Sequence, residues 1–309
     1  MTMVMAHDGM RIKAIVADIL FDIHSEGVDL SDTSFAGFAI QHADNLPSDV
    51  ISMTLKKASD IQPDATFQSQ FSPPADISLG DLASDWTLQI LNDATLVITT
   101  KFTSRPTKAA QIRFKGSNAT MLVEPTDPDA QSIPTYIFPL FNIFLSRLLL
   151  DRGGLIIHSS AVRTIDGKGL LFTAPSGTGK STIANLFRQH AHATIIDDDL
   201  IAIRPPHDGQ THPTAYNIPT FKHHLTPLRT TINAAYAISQ SPTNNLQPIN
   251  SPAAAVAELL SNTIQQPLDR HSCDTIARNV WISFRDTTTF LLGFTPTPDA
   301  VQLITSNTP

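Results

Sequence analysis

Apolar and polar positions alternate along much of the first half of the chain, and that alternation predicts strands. Residues 87–91 and 95–102 flank Asn92-Asp93, a hairpin turn; residues 111–115 and 120–124 flank Gly116-Ser117-Asn118, a second one. Residues 12–23 read as one further strand of imperfect alternation. Residues 44–74 carry no clean period, and no element is assigned there. The stretch from Pro125 through Pro134 is loop chemistry and closes this part.

After it the pattern changes. Residues 136–150 (YIFPLFNIFLSRLLL) predict a buried helix; the run is too short for a bilayer and is broken by Pro139, Asn142 and Arg147. Beyond Gly153-Gly154, the run LIIHSSAVRT, the turn Asp166-Gly167 and residues 169–173 form a hairpin whose second strand enters a glycine-rich loop. Residues 180–190 set Ile183, Leu186 and Phe187 at helical spacing. Residues 194–196 are a short buried strand ending in three aspartates. Eight prolines from Pro205 to Pro252 predict a loop-rich stretch. Ser251-Pro252 is an N-cap with proline at the first helical position, opening a helix to Leu260. Residues 279–284 and 290–294 read as closing strands.

Composition narrows the function classes. With 41% hydrophobic and 16% charged residues, the chain suits a soluble globular protein rather than a disordered one. The net charge of −7 is concentrated in residues 1–150, with 17 acids against 10 bases, while 151–309 hold 11 of each. Neither half has the basic excess of a phosphate-backbone binder, so nucleic acid is not an expected partner. The first residues, MTMVMAHDGMRIK, lack the apolar core of a signal peptide, and no membrane partner is expected. One cysteine, Cys273, excludes an intrachain disulfide. It points to a reducing, cytoplasmic setting, with the thiol itself expected in the core.

The segment Ala174-Pro-Ser-Gly-Thr-Gly-Lys-Ser181 has the spacing of a phosphate-binding loop, with Ala174 where the strict motif has glycine. Gly177 and Gly179 let backbone N–H groups, those of Ser176 and Thr178 among them, turn inward around phosphate oxygens. The helix opening at Lys180 aims its positive end at the same anion. Lys180 supplies a mobile cation, the Ser181 hydroxyl suits Mg²⁺, and Thr182 continues the common G-K-S-T form. The motif alone does not separate ATP from GTP. Asp197-Asp198-Asp199 follow the next strand, where a carboxylate holds magnesium in such folds; a second acid can accept a proton from an attacking hydroxyl. Asp199 reads as a cap or surface charge. His158 lies in the strand before the loop. His207, His212, His223 and His224 do not have the spacing of a closed zinc site.

The run GLIIHSSAV…GKGLLFTAPSGTGKSTIANLF…ATIIDDDLIAI resembles the catalytic domain of HPr kinase/phosphorylase and its relatives. The resemblance covers residues 153–204 strongly, weakens toward the C-terminus, and does not reach residues 1–130. It implies a phosphoenolpyruvate-carboxykinase-like P-loop catalytic domain over 131–309; with the smaller β-rich domain that the strand pattern predicts over 1–130, the expected fold class is α/β (α+β). It implies ATP and Mg²⁺, Asp197 as the acid that takes the proton from the acceptor, Asp198 as the organiser of Mg²⁺, and His158 beside the transferred phosphoryl group. The downstream R-x-x-G-I signature is not recognisable, so phosphorolysis and HPr itself do not carry over. In its place stands AYNIPTFKHHLTPLRT, where Lys222 and Arg229 are the nearest basic candidates for a second phosphate contact.

The expected function is therefore ATP-dependent transfer of a phosphoryl group to a hydroxyl, most simply serine, of a peptide or protein. A small-molecule acceptor such as free serine and a nucleotide-binding regulator without turnover stay open. The β-rich half is expected to present the acceptor or to assemble the chain as a homo-oligomer.

Overall fold

In the computed structural model the described residues are 5–6, 9–26, 38–40, 46–72, 85–102, 107–127, 138–207, 209–219, 226–264 and 270–308. They form a mixed α/β structure, mostly strands in two sheets, with five helices among the described residues. Two compact units contain them: Met1–Leu145 with Pro219–Pro227, and Ser146–Ile218 with Leu228–Pro309.

Among the described residues, the first unit holds one nine-stranded sheet. Its strands are β1 (Met5–Ala6), β2 (Gly9–Val16), β3 (Ile19–Glu26), β4 (Val50–Lys57), β5 (Ser69–Phe71), β6 (Asp85–Ile90), β7 (Leu96–Lys101), β8 (Thr107–Lys115) and β9 (Asn118–Pro125). They lie in the order β1-β2-β3-β4-β9-β8-β7-β6-β5, with β4 parallel to both β3 and β9. The expected hairpins at Asn92-Asp93 and Gly116 are there, as β6–β7 and β8–β9. Residues 12–23 are not one strand. Ala17 and Asp18 both take positive φ, the pattern of a tight hairpin turn, and reverse the chain between β2 and β3 without a glycine to mark it. Helix α1 (Phe138–Asp151) begins in this unit, where Phe141 and Phe144 meet Phe21 and Phe114 edge-on. The unit boundary falls inside that helix, after Leu145, rather than in the loop near residue 130.

The second unit carries β10 (Leu155–Arg163), β11 (Gly169–Thr173), β12 (Thr194–Asp197), β13 (Leu200–Arg204), β14 (Thr214–Asn217), β15 (Arg229–Gln240), β16 (Asn245–Pro248) and β17 (Thr288–Phe294). Its helices are α2 (Lys180–His190), α3 (Pro252–Leu260), α4 (Arg270–Phe284) and α5 (Pro298–Asn307). The strands run β11-β10-β13-β14-β15-β17-β16, and β11 also pairs with β15, which bends the sheet back on itself. β11 is antiparallel to β10 and parallel to β15, and β15 is parallel to β17. Side chains alternate across β11 as a two-residue period requires. Leu170 and Phe172 face a core shared with Ile183 and Phe187 of α2 and Ile304 of α5. Leu171 faces a second core with Val256 of α3 and Val280 and Phe284 of α4.

Three expectations about this unit are corrected. Residues 279–284 end α4 instead of forming a strand: Asn279, Val280, Ser283 and Phe284 are buried at helical spacing while Trp281 and Ile282 face outward. The proline-rich stretch holds β14, β15 and β16, because its prolines fall at strand ends and between strands. Cys273 is exposed, since it lies on the outward face of α4. No helix among the described residues is long and apolar enough to cross a membrane.

Asn279 ties α4 to the start of β10. Its side-chain amide, fully buried, donates to Leu150 O at 2.9 Å and Gly154 O at 3.1 Å. Asn279→Ala removes both of these buried hydrogen bonds and is expected to cost about 2 kcal/mol, read as a lower midpoint in urea. A midpoint equal to wild type contradicts this.

Candidate functional site

β11 is buried along its whole length and ends at Thr173, so the chain must leave the sheet at Ala174. It turns through Gly177 at φ 78 and Gly179 at φ 118, both in the left-handed region that a side chain disfavours, and enters α2 at Lys180. The first N–H groups of a helix have no partner within it, so this turn presents donors to whatever sits in front. In front lies a cavity of about 410 Å³. Ser176, Gly177, Gly179, Lys180, Ser181 and Thr182 line it from the loop side. Ala174 stays in the core, and Thr178 N donates to Pro175 O, closing the loop from within.

Lys180 is only 5% exposed, and its ammonium donates to Ala174 O at 2.8 Å and Pro175 O at 3.1 Å. Burial pulls its pKa down, and Asp199 pulls it back up. The cation is therefore held inside the loop, along the cavity wall.

The opposite wall comes from the acidic turn, and a strand irregularity builds it. β12 and β13 use the same edge of β10 in succession: Asp197 faces Ala161 and Leu200 faces His158. Between Ala161 and Val162 the register slips, leaving Ile196 as an extra residue in β12. Such a bulge bends the strand and re-aims the residues beyond it, here Asp198 and Asp199. Both line the cavity, together with His158.

Asp197 does not line it. Its side chain is 5% exposed, and Oδ1 accepts from Asp198 N at 2.7 Å and Asp199 N at 3.2 Å. This is an aspartate tying down its own turn. Ser181 Oγ donates to Asp198 O at 3.2 Å, which joins the helix start to the acidic turn.

His158 is held by its backbone, whose N–H donates to Asn262 O, and its Nε2 lies 3.4 Å from Asp199 Oδ1. Burial lowers the imidazole pKa, Lys180 lowers it further, and Asp199 opposes both. Burial and Lys180 thus favour the neutral ring. Its folded pKa lies below the unfolded one, so the unfolded chain takes up the proton first as pH falls. Stability is therefore full above the ordinary imidazole value and declines as pH falls through the folded value. His158→Gln is expected to flatten this acid-side loss in melting temperature between pH 7.5 and 5; an unchanged slope contradicts it.

A triphosphate and Mg²⁺ fit these residues. The loop is a cradle of donors with one buried cation; its Ser181 hydroxyl and the carboxylates of Asp198 and Asp199 opposite are hard oxygen ligands. Among the described residues no group of three or more His, Cys, Asp or Glu could hold a metal ion. Ser181 and Asp198 both line the cavity, and Mg²⁺ commonly takes most of its ligands from phosphate and water.

Of the residues expected at the site, the structure brings together His158, Lys180, Ser181 and Asp198, and it adds Asp199. Sequence alone leaves Asp199 as a surface charge, because a bulge in β12 has no signature in the residues around it. Arg229 is elsewhere: it opens β15, which runs parallel to β11, and its carbonyl accepts from Arg163 at the end of the sheet away from the loop. Lys222, His223 and His224 lie outside the described residues. No protein-family model and no curated protein matches this chain.

Proposed function

We propose that the chain is a Mg²⁺-dependent ATP phosphotransferase that moves the γ-phosphoryl group onto a hydroxyl, serine in a peptide or protein. The observation that carries the reading is the convergence of a glycine loop, a buried lysine and two carboxylates on one cavity. The second unit would then be an HPr-kinase-like, phosphoenolpyruvate-carboxykinase-like P-loop domain. The antiparallel β10–β11 hairpin ahead of the loop supports this, since the more usual P-loop sheet is parallel there.

In this mechanism the loop N–H groups and Lys180 hold the β- and γ-phosphates. Lys180 exchanges its two carbonyl acceptors for phosphate oxygens as the nucleotide enters. Mg²⁺, held through Ser181 and Asp198, would neutralise charge on the phosphates. The acceptor oxygen bonds to the γ-phosphorus as the bond to the β–γ bridging oxygen breaks, and ADP departs. The acceptor's proton goes to a carboxylate.

The resemblance gives that role to Asp197, whose carboxylate is occupied by the turn amides. We assign it instead to Asp199, which lines the cavity beside His158. Asp197 then positions the turn.

The test is transfer from γ-labelled ATP with Mg²⁺ to serine peptides and to free serine. Labelled peptide supports the reading. Labelled free serine alone moves it to a small-molecule kinase. Nucleotide binding without transfer to any acceptor favours a regulator.

A further inference from the structure

The two glycines of the loop meet different surroundings. A Cβ on Gly177 would point into open space. A Cβ on Gly179 would lie 3.0 Å and 3.2 Å from two ring carbons of Phe294. The first glycine is thus required by the turn alone, whereas the second also lies against an aromatic ring.

That ring has little room to move. Phe294 is the last residue of β17, 4% exposed, in the same core as Ala174 and Ile183. The backbone around it is clasped by the β15–β16 connection. Ser241 N donates to Phe294 O at 3.1 Å, Thr295 N to Asn244 Oδ1 at 2.8 Å, and Thr295 Oγ1 to Ser241 O at 2.8 Å. Gly179 O in turn accepts from Ile183 N at 2.9 Å, the bond that opens α2.

We infer that Phe294 is a positioning residue for the phosphate loop: its ring is the floor on which Gly179 rests, and it sets where the loop donors and Lys180 stand. The inference rests on the phosphotransferase reading only for the identity of the ligand. A preformed cradle binds more tightly than one ordered on binding, because less conformational freedom is lost. Removing the floor therefore weakens anion binding more than it weakens the fold.

The experiment compares Phe294→Val with Phe284→Val. Phe284 is fully buried in the other core of the unit, so both variants lose the same ring atoms from a packed interior. Amide exchange at Ile183, without nucleotide, is expected to speed up about fivefold in Phe294→Val and to stay at the wild-type rate in Phe284→Val. The Kd for Mg²⁺-ATP is expected to rise about tenfold in the first and to change less than about twofold in the second.

Equal effects of the two variants, or no change at Ile183 in Phe294→Val, overturn the inference. Should Phe294→Val not fold, Phe294→Leu is measured in its place with the same criteria. The exchange arm needs no ligand. It decides this inference even if the wild-type protein binds no nucleotide, an outcome that sinks the phosphotransferase reading by itself.

Discussion

Lys180→Ala is expected to lower phosphoryl transfer about a thousandfold while the protein stays folded, in line with losing one preorganised charge at a reacting phosphate. The size follows from where the ammonium sits. It is almost fully buried, at the start of α2, and its two acceptors are the loop's own carbonyls. It therefore stands on the cavity wall before nucleotide arrives and has to trade these two carbonyls for phosphate oxygens. Burial lowers its pKa because the charged form loses water, while Asp199 restores part of that loss. Alanine is well tolerated in a first helical turn, so α2 should persist. Lys180→Arg is not expected to rescue: the planar guanidinium cannot take the place of a compact ammonium at a position this buried. Steady-state kinetics beside a melting curve checks both variants. A Lys180→Ala protein with near-wild-type turnover contradicts the assignment.

Asp199→Asn is expected to lower transfer by about 10²–10⁴, the range for losing a general base, with nucleotide binding retained. Asparagine keeps the size of the side chain and removes its basicity. The informative comparison is Asp197→Asn. There the Oδ1 acceptor survives, and it is this atom that takes the N–H groups of Asp198 and Asp199. Its activity is expected to stay within about tenfold of wild type, because the turn keeps its anchor. Asp197→Ala removes the anchor and should cost activity and stability together. If instead Asp197→Asn is the dead variant and Asp199→Asn is active, the proton goes to Asp197 and the cavity carboxylates have other work.

Which parts of this site the residues alone reveal depends on how local each part is. The phosphate loop is legible because everything it needs is close in the chain: a buried strand, glycines at two positive-φ positions and a helix, all within residues 169–190. The β10–β11 hairpin is legible for the same reason, with Gly167 at φ 89 marking its turn. The β2–β3 hairpin is not, since Ala17 and Asp18 reach the left-handed region with no glycine to signal it. The segment N-V-W-I-S-F resembles a strand because its residues favour one. As the end of α4, it buries Asn279, Val280, Ser283 and Phe284 against a core that the local pattern cannot reveal.

The site divides in the same way. Lys180 and Ser181 follow from spacing. Which of three consecutive aspartates faces the cavity depends on one extra residue in β12, and that is a property of its pairing with β10. Phe294 reaches the loop only through the order of β11, β15 and β17 in the sheet.

The most direct test of the central claim is a calorimetric titration of the full chain with ATP in the presence of Mg²⁺, wild type beside Lys180→Ala. The account predicts saturable binding of one nucleotide to the wild-type chain and binding at least about tenfold weaker in the variant, a difference of ~1.4 kcal/mol or more. Wild-type protein that binds neither ATP nor GTP at millimolar concentration, with or without Mg²⁺, would contradict it.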